Sequence, residues 1–438
     1  MADPKLVGKL VLKGKLSLKT PLIIGSGKND LSDIEALKDE SGTPYIPATS
    51  LVGVLRHMIE DKSRRLDPTQ SDYFWGSEKS DGSQSALCCH DLRTEGATIK
   101  IRDGVAIDPA KGIAVDEKKY DYEVVEPGSC FMMNMEITMR EAFDKTMFEN
   151  ILATICHLLK EGKVALGAKT TSGFGKCKLE EIKFYDFDFS KRDDIFQWLK
   201  QDLTSRTETT LGGSPLPLSE KTILIDAAFS IKNSLIVRSY ASDEIKPDAV
   251  HLTSNGKNVL PGTSIKGAIR ARGLKILKTL GRTDAEVRIN SLFGFVNEET
   301  KESRKGKVVV EETEIRNVAA ELQQRIKIDR FTGGVIKGAL FDSMPLWNSE
   351  NGKAVQIKMS ISEYKEWELG LLLLILKDLW SADLPIGGEK SIGRGVLKGV
   401  VAKIKWDSKE LQLEEKNNEL VFSNKELADD LNRICKEV

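Results

Sequence analysis

Leu10, Leu12, Leu16 and Leu18 alternate with polar residues, and so do Ile223, Ile225, Ala227, Phe229 and Ile231. A period of two predicts a strand with one buried face near the start of each half of the chain. Helical spacing comes next. Leu51, Val54, Leu55, Met58 and Ile59 follow Thr49 and Ser50, and Ile265, Ile269, Ile276 and Leu280 follow Thr263 and Ser264. Each set predicts a helix with a core-facing stripe behind a Ser/Thr N-cap. Alternation returns at Met133, Met135 and Ile137, and at Val355, Ile357 and Met359. A second helix is predicted from Phe148, Ile151, Leu152, Ile155 and Leu159, and from Trp367, Leu371, Leu374 and Ile375. Final strands are predicted near Leu179–Phe184 and Val396–Ile404.

The two halves also share wording. Residues 167–175 read GAKTTSGFG and residues 387–395 read GGEKSIGRG, so Gly167, Gly173 and Gly175 fall on Gly387, Gly393 and Gly395 at an offset of 220 (387 − 167). Thr49-Ser50-Leu51-Val52-Gly53 recurs as Thr263-Ser264-Ile265-Lys266-Gly267. Tyr73-Phe74-Trp75-Gly76 recurs as Ser291-Leu292-Phe293-Gly294, and Val105-Ala106-Ile107-Asp108 as Ile326-Lys327-Ile328-Asp329. Matches in one order mark a duplicated domain. Strand, helix, strand pair, helix, strand is the split βαβ order. The class is therefore α+β: two tandem ferredoxin-like (RRM-like) modules with inserted hairpins and loops. The modules span 1–187 and 220–405, joined by a connecting helix and linker over 188–219 and followed by a tail over 406–438. Lys191–Leu203 reads as the connecting helix. Thr204–Ser219, with Gly212, Gly213, Pro215 and Pro217, reads as the linker. Lys425–Ile434 is a weak helical stretch in the tail.

Composition narrows the class. The chain has 438 residues, 40% hydrophobic and 30% charged, an ordinary globular profile. No apolar run has the length of a membrane span, and the opening MADPKLVGK lacks a signal-like apolar segment. Six scattered cysteines suit a reducing compartment. A cytoplasmic protein with no membrane partner is expected. The net charge is −1, from 65 basic and 66 acidic residues. Bulk charge thus lends no support to a nucleic-acid partner. Charge is segregated, however: Lys266, Arg270, Arg272, Lys275 and Lys278 are dense and basic, whereas the tail after Asp407 is acidic and polar.

Several stretches could carry chemistry. The glycine motifs enclose Lys169 in one half, and Lys390 and Arg394 in the other. Exposed amides beside cations could hold phosphates; a turn needed only for packing would look the same. The helix starts combine Thr49, Ser50 and Arg56, and Thr263, Ser264, Lys266 and Arg270, a combination that favours anions. The segment from Arg325 to Gly334 mixes Lys327, Arg330 and Phe331 with glycines, which suits a hairpin that touches a nucleic-acid backbone and stacks on bases. The loops before the first helices offer Asp30, Asp33, Glu35 and Asp39, and Asp243, Glu244 and Asp248, as metal-binding or acid–base carboxylates. Cys88-Cys89-His90 has no second ligand pair at zinc-site spacing. The histidines form no catalytic pattern, and no Walker-type loop is present.

PYIPATSLVGVLR and VLPGTSIKGAIRARG resemble the helix-start motif of the RAMP superfamily of CRISPR-associated proteins. RIKIDRFTGGVIKGALFD is similar to the thumb-hairpin motif of its type III backbone subunits, and the glycine motifs look like its G-rich loop. In the first half Ile107-Asp108-Pro109-Ala110-Lys111-Gly112 takes the place of the hairpin motif. Two fused backbone modules resemble the tandem subunit of III-D-like complexes. The resemblance implies a subunit that grips a CRISPR guide RNA and works with other effector subunits. Guide pairing would read the target RNA. It further implies that an Asp in the first strand-to-helix loop cleaves target RNA with a divalent metal, Mg or Mn. Asp33, 14 positions before Pro47, and Asp248, 13 before Pro261, match that Asp, with Asp243 a rival. Three alternatives stay open: a catalytically silent RNA scaffold, a repeat-RNA processing endoribonuclease, and a tandem ferredoxin-like protein with no RNA role.

Overall fold

The structure, a computed structural model, describes residues 5–438 apart from 29–31, 64–65, 78–81, 83, 109–110, 202, 204–205, 219–220, 240–246, 298–299, 350–351 and 418. The chain forms two compact units. The first holds residues 1–101, 122–170 and 174–219; the second holds 102–121, 171–173 and 220–438.

In the first unit Leu6–Leu18 is a central strand, paired antiparallel with Cys130–Arg140 and with Cys177–Asp188. Leu87–Cys89 joins the far side of Cys130–Arg140. The order across the sheet is therefore fourth, first, third, second. The second unit repeats it with Leu397–Trp406, Thr222–Ile231, Val355–Ser362 and Val309–Val310. Both are the ferredoxin-like order that the repeat predicts.

The helices are α1 (Ala48–Glu60), α2 (Pro68–Trp75), α3 (Lys145–Lys160), α4 (Arg192–Lys200), α5 (Gly262–Thr279), α6 (Ala285–Phe293), α7 (Glu366–Trp380) and α8 (Lys425–Cys435). Leu10, Leu12 and Leu16 of the first strand join Leu51, Leu55 and Ile59 of α1 and Ile151 and Ile155 of α3 in one core. Ile223, Ile225 and Phe229 join Ile265 and Ile269 of α5 and Leu372, Ile375 and Leu379 of α7 in the other. Each such side chain contributes about 1.5–3 kcal/mol by leaving water.

Some features depart from the sequence expectation. Thr49, Ser50, Thr263 and Ser264 do not cap their helices. Pro47 and Pro261 hold the N-cap positions without a side-chain cap, and the four hydroxyl residues lie inside the first turn. A loop carboxylate substitutes in the first module, where Ala48 N donates to Asp91 Oδ1 at 2.8 Å. The repeated Tyr73–Gly76 and Ser291–Gly294 stretches prove to be the ends of α2 and α6. Gly76 and Gly294 terminate them, both at φ 85°.

The segment expected to be a linker lies against α3. Leu216 N donates to Thr154 Oγ1 and Ser214 N to Asn150 Oδ1, each at 2.8 Å. The tail continues the second sheet through Lys409–Lys416 and Glu419–Phe422. Helix α8 then packs on α7, so closely that a Cβ on Gly370 would lie 2.6 Å from Ile434 O. Helix α7 is thus covered on two sides, which explains its nearly unbroken apolar sequence.

The glycine motifs are packed turns built twice. Gly167, Gly173 and Gly175 have φ of 76°, 87° and 75°; Gly387, Gly393 and Gly395 have 79°, 83° and 77°. A Cβ on Gly175 would sit 1.8 Å from Leu166 O, and one on Gly395 1.8 Å from Ile386 O. The amides are engaged by backbone. Gly175 N donates to Pro21 O and Ala168 N to Ile23 O; Gly395 N donates to Ser234 O and Gly388 N to Ile236 O. The Gly175 and Gly395 amides are therefore not exposed phosphate donors.

Gly175→Ala or Gly395→Ala combines a positive φ with a backbone clash and is expected to cost ~3 kcal/mol or more. Gly53→Ala lies in a helix with nothing within 4 Å and is expected to stabilise by ~0.5–1 kcal/mol. Urea unfolding of the three variants checks both signs.

Candidate nucleic-acid interface

The glycine turn holds the segment that leaves the first strand. Leu22 of that segment bridges Val125 of an inserted hairpin in the first module, whereas Leu235 in the second pairs with Leu346 of the short strand Leu346–Asn348 that follows the hairpin. The hairpins are Ile99–Ile107 with Ala114–Val125, and Gln323–Ile328 with Val335–Met344. One step further, a short parallel pairing brings in the acidic loop. Ile34 bridges Tyr122, and Ala249 pairs with Ser343, both parallel.

The residues immediately before these two pairs are Asp33 and Asp248. They thus occupy matching places beside their hairpins, a match that the one-residue difference in spacing to Pro47 and Pro261 had obscured. Asp33 Oδ1 accepts an ion pair from Lys28 Nζ at 2.7 Å. Asp248 is exposed, and its Oδ2 accepts Asp342 N at 2.9 Å. Asp30, Asp243 and Glu244 lie outside the described residues. Glu35 and Asp39 serve the loop itself: Glu35 pairs with Lys38, and Asp39 Oδ1 accepts Ser41 N and Thr43 N.

The hairpin tips are also alike. Asp108 N donates to Ile113 O and Gly112 N to Asp108 O; Asp329 N donates to Gly334 O and Gly333 N to Asp329 O. Asp329 Oδ1 further accepts Phe331 N and Thr332 N. Those bonds hold its carboxyl below the usual range. This turn projects Phe331, 99% exposed, with exposed Arg330 beside it. Exposed Ile326, Ile328, Val335 and Leu340 continue the apolar finger.

The cations named from sequence separate into two groups. Arg394 is 3% exposed, with Nε 3.2 Å from Glu389 Oε2 and Nη2 donating to Gln323 Oε1. Arg270 donates to Gly294 O and to Asn290 Oδ1 at the end of α6. Arg56 pairs with Glu60 at 3.0 Å. These three brace the fold. Lys169, Lys266 and Lys390 form the other group, amines beside the turns, the first two half-buried and Lys390 exposed. Burial pushes Lys169 and Lys266 down to about 8, Lys266 with help from Arg270 and Lys305, and it lowers Lys390. Lys169 Nζ lies 3.7 Å from the centre of the Tyr122 ring, and Lys266 Nζ donates to Thr171 Oγ1 at 2.7 Å.

Sequence reading missed Tyr122, Asp342 and the Glu389 cluster. The matched position was a usable signal, since the offset of 220 sets Glu389 on Lys169 with opposite charge. His251, close to Asp248, is no base. Its Nδ1 accepts Val237 N, its Nε2 faces Val259 O at 2.9 Å, and burial pushes it down to about 4. Among the described residues no three His, Cys, Asp or Glu side chains gather as a metal cage. The protein groups described do not by themselves fit a divalent ion. Cys88 is exposed, and burial holds the Cys89 thiol up at about 12.

The RAMP superfamily model matches residues 15–178 and 209–398, well over half of the sequence and once per module. The chain belongs to the RAMP superfamily. Membership points to a CRISPR-associated, RNA-binding protein that works with other subunits. No curated protein matches the chain. No helix among the described residues is long and apolar enough to cross a membrane.

With Lys266 titrating at about 8, its positive charge falls between pH 7 and 9, and RNA affinity is expected to fall with it. Lys266→Arg keeps its charge and is expected to flatten that slope. Fluorescence polarisation against a guide RNA at low salt measures both. A slope identical in the two proteins refutes the role of Lys266.

Proposed function

We propose that the chain is the guide-RNA-binding backbone subunit of a type III CRISPR effector complex, located in the cytoplasm, and that it cuts target RNA once per module. The observation that carries the reading is the matched parallel pairing, which sets Asp33 and Asp248 at the same place beside two hairpins. Superfamily members include ribonucleases. An exposed Phe331 at a stiffened tip suits a wedge that turns one nucleotide out of the guide–target duplex. Turning it out brings the neighbouring 2′-hydroxyl into line with its phosphate.

The chemistry requires one proton acceptor. The Asp carboxylate takes the 2′-hydroxyl proton as that oxygen attacks phosphorus. The bond to the 5′-oxygen of the next nucleotide breaks, and that oxygen leaves with a proton from solvent. The products are a cyclic 2′,3′-phosphate and a 5′-hydroxyl. Near-neutral net charge fits a partner gripped at a few sites rather than a uniformly basic surface. A silent scaffold would bind RNA equally well and leave the target intact.

Asp33→Ala is expected to delete one cut and Asp248→Ala another, each by ~10²–10⁴-fold with target binding retained. Denaturing gels of end-labelled target with the assembled complex check this. A double variant that cuts in the normal pattern refutes it. Deleting Thr332–Lys337 is expected to leave guide binding intact and to blur the cut position assigned to the second module. A sharp, unaltered ladder counts against the hairpin's role.

A further inference from the structure

We propose that Glu389 is a positioning residue for the second module's carboxylate site: a buried ionic clamp that fixes the strand following Asp248 against the hairpin. This rests on reading Asp248 as the acting carboxylate. Glu389 stands in the glycine turn at φ 56°, with its side chain 6% exposed. Its Oε1 lies 2.7 Å from Arg238 Nη2, and its Oε2 lies 2.9 Å from Arg325 Nη1 and 3.2 Å from Arg394 Nε. Burial pushes its carboxyl up, but the three guanidiniums outweigh burial and hold it below its usual value.

The placement of the arginines gives the cluster its meaning. Arg238 and Arg325 belong to the two outer strands of one four-stranded sheet. Its order is Arg238–Ser239, Ala249–His251, Val335–Met344, Gln323–Ile328. The inner strands hold Ala249, next to Asp248, and Asp342, whose amide donates to Asp248 Oδ2. Outer strands of such a sheet stand about 14 Å apart, three strand spacings. One carboxylate held by two long guanidinium arms spans that distance and closes the sheet from edge to edge. Arg394 ties the clamp to the glycine turn and, through Gln323, to the hairpin.

The first module has another device at the same position. Lys169, at φ 54°, lies over the Tyr122 ring, and Tyr122 packs edge-on against Phe174. That brace is aromatic and reaches the inner hairpin strand. Loss of the Glu389 charge should therefore disturb one site and spare the other. Without the carboxylate three guanidiniums would face one another with no counter-charge, which drives them apart.

Glu389→Gln keeps the side-chain size and removes the charge. In the assembled complex it is expected to slow the cut that Asp248→Ala abolishes by ~10²-fold, the scale of a misplacement near 1 Å. Target affinity and the Asp33-dependent cut are expected to stay as in the wild type. Arg238→Gln, a milder change at a half-exposed residue, is expected to slow the same cut less. Hydrogen exchange of the free protein gives an activity-independent readout: Glu389→Gln is expected to speed exchange at 249–251 and 323–328 and not at 35–36. Wild-type rates for the Asp248-dependent cut in both variants, or an equal loss of both cuts, overturn the clamp. If Asp248→Ala removes no cut, the reading of Asp248 falls, and exchange still decides the clamp. Faster exchange at 249–251 and 323–328 then supports it, and unchanged exchange overturns it.

Discussion

The interaction on which each module depends is a backbone contact with no room for a side chain. At Gly175 and Gly395 the turn passes so near Leu166 O and Ile386 O that a Cβ would stand 1.8 Å away. The same turns donate amides to Pro21 and Ile23, and to Ser234 and Ile236. That anchors the chain where it leaves the first strand. The anchored segment pairs with the hairpin in the first module and with the short strand that follows the hairpin in the second, and each hairpin pairs in parallel with the strand behind Asp33 or Asp248. Removing the glycines would loosen that series at its first link, far from any reacting group.

Duplication kept the backbone and let the side chains diverge. The left-handed position in the turn is Lys169 in one module and Glu389 in the other. One braces an aromatic pair, the other gathers three arginines. Cations such as Arg270 and Arg394, which look like surface charges in the sequence, are drawn inward to hold carbonyls and a carboxylate. Net charge therefore says little about an RNA groove here, because part of the basic inventory is structural. The amines of Lys169, Lys266 and Lys390 are the ones left beside the turns, the first two half-buried, where phosphate contact would restore the charge that partial burial disfavours.

The central strands were legible because Leu10, Leu12 and Leu16 alternate cleanly on the face that carries the helices, even though Val11 is also buried on the other face with Tyr185 and Phe187. Helix α5 was harder. Its stripe runs through Gly273, against Ile289 and Ile375, and ends at Leu277, while Leu280 is exposed. A glycine that admits a neighbouring side chain carries no hydrophobic signal. Val309–Val310 is too short to show any period. The N-caps misled because Thr49 and Thr263 fall one position inside helices whose first turns follow a proline. The Asp33–Asp248 match was only partly readable, because the spacings to Pro47 and Pro261 differ by one residue, and the Glu389 clamp showed only as a charge reversal at the matched turn position, since its partners lie 151 and 64 positions away and meet only in the fold.

In the proposed function, two equivalent modules each present an equivalent site to a guide–target duplex. The most direct measurement is a structure of the assembled complex with guide RNA and a target whose attacking 2′-hydroxyls are blocked by methylation. A displaced nucleotide is expected beside each hairpin. The Asp33 and Asp248 carboxylates are expected to stand at each methylated 2′-oxygen, within ~3–4 Å, the range of a proton acceptor allowing for the blocking group. A duplex that runs along the helix-covered faces of the sheets, or that engages only one module's hairpin and carboxylate, would contradict it.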